Sequence, residues 1–184
     1  MNQGVMTVLE ILKYVIPGIV VLIATNMVVG RFLNSEFRQK QLAMLSQTQD
    51  VTIRLRLQAY ERLSLFVERI HPRQLVPRIY QQGMTVTDLQ QALIYNINTE
   101  FEHNLAQQIY VTRQAWETVR RTKEQEIAMI SQIAKNLDPT APGRDLHVKI
   151  VDYILTTPGE LPTEIALNLI NEEAKRILSY GAQA

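Results

Sequence analysis

YVIPGIVVLIATNMVVG, the stretch from Tyr14 to Gly30, contains seventeen residues without a charged side chain. The apolar segment extends upstream through Val8, Leu9, Ile11 and Leu12. A helix needs roughly 20 predominantly apolar residues to cross a hydrocarbon core of about 30 Å. The pattern therefore predicts an N-terminal transmembrane anchor within residues 1–30.

A cleaved signal peptide and a buried core helix are the two alternatives for this segment. Signal peptides carry a basic N-terminal region and an apolar run of about 7 to 15 residues. Met1 to Thr7 has no Lys or Arg, the run is longer, and no small-x-small cleavage site follows it. A core helix would be expected to show a polar face. This run has almost no polar residues on any face, and Asn26 is the exception. Both alternatives are therefore disfavoured.

Charges on the two sides of the segment predict its orientation. Arg31, Arg38 and Lys40 follow it, whereas only Lys13 and the N-terminal amine precede it. Flanking Lys and Arg residues are retained on the cytoplasmic side of a membrane. We therefore expect a single-pass protein with its C-terminal domain in the cytoplasm.

The residues after the anchor predict a stalk and then a packed domain. Residues 31–50 are polar and lack Gly and Pro, which favours a helical stalk. From residue 51, apolar residues recur every three or four positions, as on a core-facing helix: Leu55, Ala59, Leu63, Phe66 and Ile70. This helix is expected to end near His71, because the residue before a proline disfavours α geometry.

The remaining chain predicts further helices and no strand. A capping box of Thr87 and Gln90 is expected to begin a long helix whose apolar residues step by four from Leu89 to Ile109. Three more helices and one loop are predicted: Thr112–Leu137, the loop DPTAPG at Asp138–Gly143, Arg144–Leu155 and Pro162–Tyr180. The fold class is all-α, with an irregular four- to five-helix bundle in residues 51–184.

Composition excludes several classes of protein. The 19 basic and 18 acidic residues nearly cancel, so no global charge favours nucleic acid. The 31–80 region, however, holds nine basic against four acidic residues. The chain contains no cysteine, which excludes disulfides, thiolate metal sites and a cysteine nucleophile. It also contains no glycine-rich phosphate-binding motif.

Two Glu-x-x-His spacings form the strongest candidate for chemistry: Glu68 with His71, and Glu100 with His103. Two such pairs and two further carboxylates, here Glu61 or Glu117, build a di-iron site in helical bundles. Glu and His at this spacing are more often ordinary neighbours on a solvated face. We assign no catalytic, cofactor-binding or metal-binding residue, and no cofactor. A membrane-tethered metalloenzyme using Glu68, Glu100 and His103 is the alternative hypothesis.

Arginines are dense between Arg54 and Arg78, at positions 54, 56, 62, 69, 73 and 78. A nucleic-acid surface would need a more one-sided charge and a recognisable module. A solvated or lipid-facing helix surface is the simpler interpretation. A membrane-attached nucleic-acid binder remains the third and weakest hypothesis, and no nucleic-acid partner is expected.

LRLQAYERLSLFVERIHP (Leu55–Pro72) and EFEHNLAQQIYVTRQAWETV (Glu100–Val119) resemble a bacterial family of unknown function that is typical of Bacteroidota. The resemblance covers nearly the whole chain, including the membrane helix and the last proline-marked helix. It implies a small membrane-anchored bacterial protein and carries over no catalytic residue.

The leading hypothesis is a non-enzymatic interaction or scaffold protein at the cytoplasmic face of a bacterial inner membrane. Residues 1–30 form the anchor, residues 31–50 the stalk and residues 51–184 the cytoplasmic domain. The expected partners are the lipid bilayer and another protein, and a homo-oligomer is left open.

Overall fold

The structure of the protein, a computed structural model, describes residues 3–181. This range is all-α, as the sequence predicts, and contains no strand. A single isolated antiparallel bridge, between Thr85 and Pro142, is found in it. Six α-helices and one 3₁₀ helix follow one another: α1 (Gln3–Ile70), α2 (Pro72–Ile79), α3 (Val86–His103), the 3₁₀ helix (Leu105–Ile109), α4 (Arg113–Lys135), α5 (Gly143–Thr156) and α6 (Pro162–Gly181).

The described residues divide into two compact units, residues 3–50 and residues 51–181. The first unit is helical throughout, so the segment predicted as a stalk is a helix. The second unit contains the end of α1 and all later helices. The predicted bundle is confirmed there, with the end of α1 and α3 to α6 as its longer helices and α2 as a short addition.

The core of the second unit contains apolar side chains from each of its α-helices, with α3 and α4 each packed against several others. α4 packs against both α3 and α6, and α3 also packs against α5. Their inward apolar side chains join those of α1 in one buried cluster, because each helix presents an apolar row with helical spacing. The largest fully buried side chains include Tyr60, Leu63, Phe66, Leu93, Ile97, Ile130, Ile150 and Ile170.

α1 ends where Pro72 predicts. His71 adopts an extended ψ of 128°, and its Nδ1 accepts a 3.1 Å hydrogen bond from the Arg73 amide. His71 therefore terminates α1 and caps the N-terminus of α2. The predicted end of this helix is confirmed, although Leu55 of the predicted inward row is exposed rather than buried.

The capping box of α3 lies two residues before the predicted one. Thr85, not Thr87, is the N-cap, and its side chain accepts from the Asp88 amide at 3.1 Å. The Asp88 carboxylate accepts from the Thr85 amide at 3.0 Å. The Thr87 hydroxyl instead donates to the carbonyl of Pro139. The reciprocal acceptor at N3 is Asp88, whereas the Glu or Gln that is usual at N3 made Thr87 and Gln90 match the pattern.

The predicted helix from Leu89 to Ile109 is wrong at its C-terminal end. α3 stops at His103, and the Asn104 side-chain amide donates to the Glu100 carbonyl at 2.8 Å. A 3₁₀ helix follows, which shifts the angular spacing of the side chains. Leu105 and Ile109 are consequently 41% and 75% exposed, although their spacing continued the inward row.

The DPTAPG loop is confirmed and fastens α5 to α3. The Gly143 amide donates to the Met84 carbonyl at 2.7 Å, and the Val86 amide donates to the Ala141 carbonyl at 2.9 Å. A Cβ atom at Gly143 would lie 3.0 Å from the Met84 oxygen and 3.1 Å from the Thr85 oxygen. Glycine at this position therefore permits the close backbone approach of the two helix starts.

Candidate functional site

The first unit contains a helical segment, Lys13–Gln41, that is long and apolar enough to cross a membrane. Its most apolar window has a mean hydropathy of 1.9, and none of that window is buried inside the protein. A signal sequence near the N-terminus would meet the same criteria of length and composition. Arg31, Arg38 and Lys40 near the end of the segment are exposed.

The first Glu-x-x-His pair connects α1 to α2. The Glu68 carboxylate accepts a 2.8 Å hydrogen bond from the Gln74 side chain, while His71 caps α2. Burial lowers the pKa of His71, and the charge of Arg73 lowers it further. A neutral His71 keeps Nδ1 available as an acceptor for the Arg73 amide, so this histidine has a structural role at the helix junction.

The second pair lies in a separate groove between α1 and the end of α3. Glu100 forms an ion pair with Arg69 at 3.3 Å, and His103 is exposed. Glu61 lines the same groove, which has a volume of about 400 Å³. The fourth carboxylate considered, Glu117, is paired instead with Arg120 at 2.6 Å.

The Glu and His residues of the metal hypothesis are therefore only partly brought together. Glu61, Glu100 and His103 share a groove, whereas Glu68 and His71 serve the α1–α2 junction. Within residues 3–181, no group of three or more His, Asp or Glu side chains is placed to hold a metal ion.

Several arginines of the basic stretch make contacts within the second unit. The Arg56 guanidinium donates to the Tyr110 carbonyl, and that of Arg78 donates to the Arg69 carbonyl. Arg69 is also the partner of Glu100. These side chains join α1 to neighbouring segments, so the stretch is not simply a row of unengaged cations.

A buried carboxylic acid, Glu126, is the most unusual feature of the second unit. Glu126 lies on α4 with 3% of its surface exposed, and no group among the described residues hydrogen-bonds to its Oε2. Burial raises the pKa of Glu126 to about 8. The carboxyl group is therefore mostly protonated at neutral pH.

Glu126 lines a pocket of about 370 Å³, hereafter the Glu126 pocket. It opens between α4, the end of α5 and the start of α6, with Pro72 of α2 at its side. One turn before Glu126, the Thr122 hydroxyl donates to the Pro162 carbonyl at 3.3 Å and joins α4 to the start of α6. The lining consists of Pro72, Gln125, Glu126, Ala128, Met129, Gln132, Tyr153, Ile154, Leu161 and Pro162.

α5 is apolar on two faces, and one of them is exposed. Its inward face buries Leu146, Ile150 and Ile154. The other face carries Val148, Val151 and Leu155, which are 54%, 40% and 72% exposed. Residues at i, i+3 and i+7 lie along one side of a helix, so these three form a continuous strip, hereafter the α5 row.

Residues 6–177 match a family described as a family of unknown function, DUF7935. The chain belongs to the DUF7935 family. The match confirms the resemblance to a family of unknown function that the two quoted stretches indicated. It extends from the N-terminal part of α1 into α6, so it includes both units. No curated protein and no solved structure matches the chain.

Sequence reasoning missed both notable features of this DUF7935 chain. Val119, Ile130 and Ala134 form an inward row with helical spacing on α4, and positions 122 and 126 continue the same spacing. That spacing was the signal for a buried glutamate. The sequence gives no corresponding signal that the α5 row is exposed, because an apolar residue in the sequence does not show whether the helix buries it or exposes it.

Proposed function

We propose that this protein is a non-enzymatic interaction protein of a bacterial inner membrane. In this proposal, the N-terminal helix anchors the chain, and the cytoplasmic helical domain binds another protein. The observation that carries the binding role is the α5 row, an exposed apolar strip on a helix whose opposite face is packed in the core.

The anchoring role is supported by the apolar part of α1. Val20, Leu22 and Met27 are among the large apolar side chains that it exposes. Exposure of many such side chains in water is unfavourable by about 25 cal/mol for each Å² of apolar surface. A bilayer removes this penalty, and a continuous helix satisfies its own backbone hydrogen bonds there. The resemblance to bacterial membrane-anchored proteins, typical of Bacteroidota, favours the inner membrane.

The orientation is supported by basic residues on the C-terminal side of the apolar segment. Arg31, Arg38 and Lys40 lie there, and the acidic Glu36 forms a long 3.9 Å ion pair with Lys40. Each basic residue near an anionic lipid surface contributes roughly 1 kcal/mol of attraction. These charges support a cytoplasmic location for the second unit.

The charges of α5 favour a protein over a lipid surface as the partner of the α5 row. Arg144 and Lys149 are balanced by Asp145 and Asp152 on the same helix. Helices that lie on membranes carry an excess of Lys and Arg on their polar face. An apolar strip bordered by charges of both signs is instead typical of a protein interface with its polar rim.

The non-enzymatic part of the proposal is supported by the roles of the candidate side chains. Glu68 holds Gln74, His71 caps α2, and Glu100 pairs with Arg69. These interactions join helices of the second unit. A structural role therefore explains the presence of these residues, and no catalytic role is needed.

Co-purification with a matched variant tests the binding role. We would compare the tagged full chain, extracted in mild detergent, with the double variant Val151→Lys/Leu155→Lys and with Tyr95→Lys as control. Tyr95 is also apolar and exposed, but it lies on α3. A near-stoichiometric protein that is lost only from the α5 variant is the expected result. A chain that purifies alone, or a partner retained by the α5 variant, would contradict the proposal.

A further inference from the structure

The Glu126 pocket has the features of a binding site for a small cationic group. Its volume of about 370 Å³ falls within the range of about 300 to 1,000 Å³ that is common for ligand pockets. Glu126 is the one acidic side chain in its lining, and the lining contains no Lys, Arg or His. The pocket thus presents one buried acid and no protein group to neutralise its charge.

Buried polar atoms usually have a hydrogen-bond partner, so an exception calls for an explanation. Among the described residues, two buried side-chain atoms have none: Oε2 of Glu126 and Oγ1 of Thr163. Thr163 follows Pro162, which forms a wall of the pocket. Thr163 itself does not line the pocket, whereas Glu126 does, so a group that enters the pocket could complete the hydrogen bonding of the Glu126 carboxyl.

The neighbouring titratable groups leave Glu126 without a counter-charge. Tyr153 of α5 lines the pocket, and His71 precedes Pro72. Glu164 on the first turn of α6 accepts a hydrogen bond from the Leu161 amide at 3.1 Å. Desolvation by burial is the cause of the raised pKa of Glu126, with no nearby ion acting on it. A cation that enters from outside would meet no competing Lys or Arg.

The walls of the pocket suit a cation that carries an apolar stem. Met129, Ile154 and Leu161 provide aliphatic surface, and Pro72 and Pro162 extend it. The ring of Tyr153 is half exposed beside them, where it can contact an ammonium group or its adjoining methylenes. An anion would find no positive charge in this lining, and a metal ion would find a single carboxylate.

We propose that the Glu126 pocket binds a primary alkylammonium group, with the ammonium on the Glu126 carboxylate and the methylenes against Met129, Ile154 and Leu161. A lysine side chain of another protein and a free alkylamine present this same chemistry. The site is distinct from the α5 row and does not depend on the proposed binding of another protein there.

Binding changes the protonation of one group only. The alkylammonium keeps its proton, since the pKa of such amines is near 10.4. The Glu126 carboxyl releases its proton to solvent and forms the ion pair as a carboxylate. Below about pH 8, one proton is therefore released for each ammonium bound, and the apparent affinity rises with pH until Glu126 is ionised in the empty protein.

Isothermal titration calorimetry of the full chain in mild detergent tests the site, with n-butylammonium chloride as the probe. Affinity should rise about tenfold between pH 6.5 and pH 7.5 and level off above pH 8.5. Titrations in two buffers with different ionisation enthalpies should show the release of about one proton at pH 6.5. Glu126→Gln keeps the shape of the side chain and should weaken binding about tenfold or more.

Glu124→Gln is the matched control, because Glu124 is exposed on the same helix. It should bind the probe as the parent chain does. A lysine with an acetylated α-amine and a methylamide at its carboxyl group distinguishes the two sources of the ammonium. Binding of this compound as tight as that of n-butylammonium indicates a peptide-borne lysine. Binding of n-butylammonium alone indicates a free amine. Failure of both compounds to bind, or binding that is independent of pH and unchanged in Glu126→Gln, would overturn the proposal.

Discussion

The Tyr60 hydroxyl donates a buried 2.6 Å hydrogen bond to the carboxylate of Glu173, 113 positions later in the chain. Thr112 completes the group, since its amide donates to the Tyr60 oxygen at 3.2 Å and its hydroxyl lies 2.7 Å from Oε2 of Glu173. Thr112 also caps α4 by accepting from the Ala115 amide. One polar cluster thus connects the end of α1, the start of α4 and α6.

Tyr60→Phe should destabilise the second unit by about 1 to 3 kcal/mol, because it leaves the buried Glu173 carboxylate and the Thr112 amide short of a partner. Urea unfolding of the full chain, followed by fluorescence of the single tryptophan, Trp116, measures this change. Tyr95→Phe is the control, since the Tyr95 side chain is exposed. Equal stability of the two variants would show that the buried hydrogen bond contributes little.

Glu126 should make stability fall as pH rises. The pKa of Glu126 in the folded state, about 8, lies above the usual value of 4.5 for a glutamic acid, so the folded state binds more protons between these pH values. The favourable contribution is fully present below pH 4.5 and is lost as pH rises through 8, by up to about 5 kcal/mol. Glu126→Gln should remove this slope and be the more stable protein at pH 8.5. Unfolding curves from pH 5 to 9 that keep the same slope in the variant would contradict this assignment.

The parts of the fold that were predicted correctly carry local signals. Pro72 ends α1, Thr112 begins α4 and Pro162 begins α6, and each of these residues acts through its own backbone or its nearest amides. The parts of the fold that were predicted incorrectly depend on contacts between distant residues or on a change of helix type. Leu105 keeps the four-residue spacing of α3 but lies in a 3₁₀ helix, which turns it outward.

Candidate site residues were harder to predict than helices. Glu68 and Glu100 share a motif in the sequence but bind different side chains, Gln74 and Arg69, because α1 and α3 present them to different neighbours. Glu126 was overlooked because a charged residue is normally expected on the solvated face. The apolar spacing of α4 does include position 126, and the packing of α4 against α6 buries the acid there.

The position of the capping box is tested by comparing the stability of two variants, Thr85→Ala and Gln90→Ala. Thr85→Ala should destabilise the second unit by about 1 kcal/mol, because α3 loses the acceptor for its Asp88 amide. Gln90→Ala should have a smaller effect, although the original pattern placed Gln90 in the box. Urea midpoints of the two variants measure the difference. A larger loss of stability in Gln90→Ala than in Thr85→Ala would contradict the capping box at Thr85 and favour the one at Thr87.

Topology is measured with reporters fused after residue 184. We expect a C-terminal alkaline phosphatase fusion to be inactive and a C-terminal green fluorescent protein fusion to be fluorescent, because the proposed orientation has the second unit in the cytoplasm. Replacing Arg31, Arg38 and Lys40 with Gln should weaken this preference. An active phosphatase fusion of the unaltered chain would reverse the orientation, and release of the chain from membranes by alkaline carbonate would contradict the anchor.

Photo-crosslinking in intact cells tests the central claim, that the α5 row binds another protein. A photoreactive benzophenone amino acid would replace Leu155, and in a control chain it would replace Gln82, which is exposed in the turn after α2. A discrete adduct with one other protein is expected at position 155, and no such adduct is expected at position 82. No adduct at position 155, the same adducts at both positions, or an adduct with a second copy of this chain would contradict it.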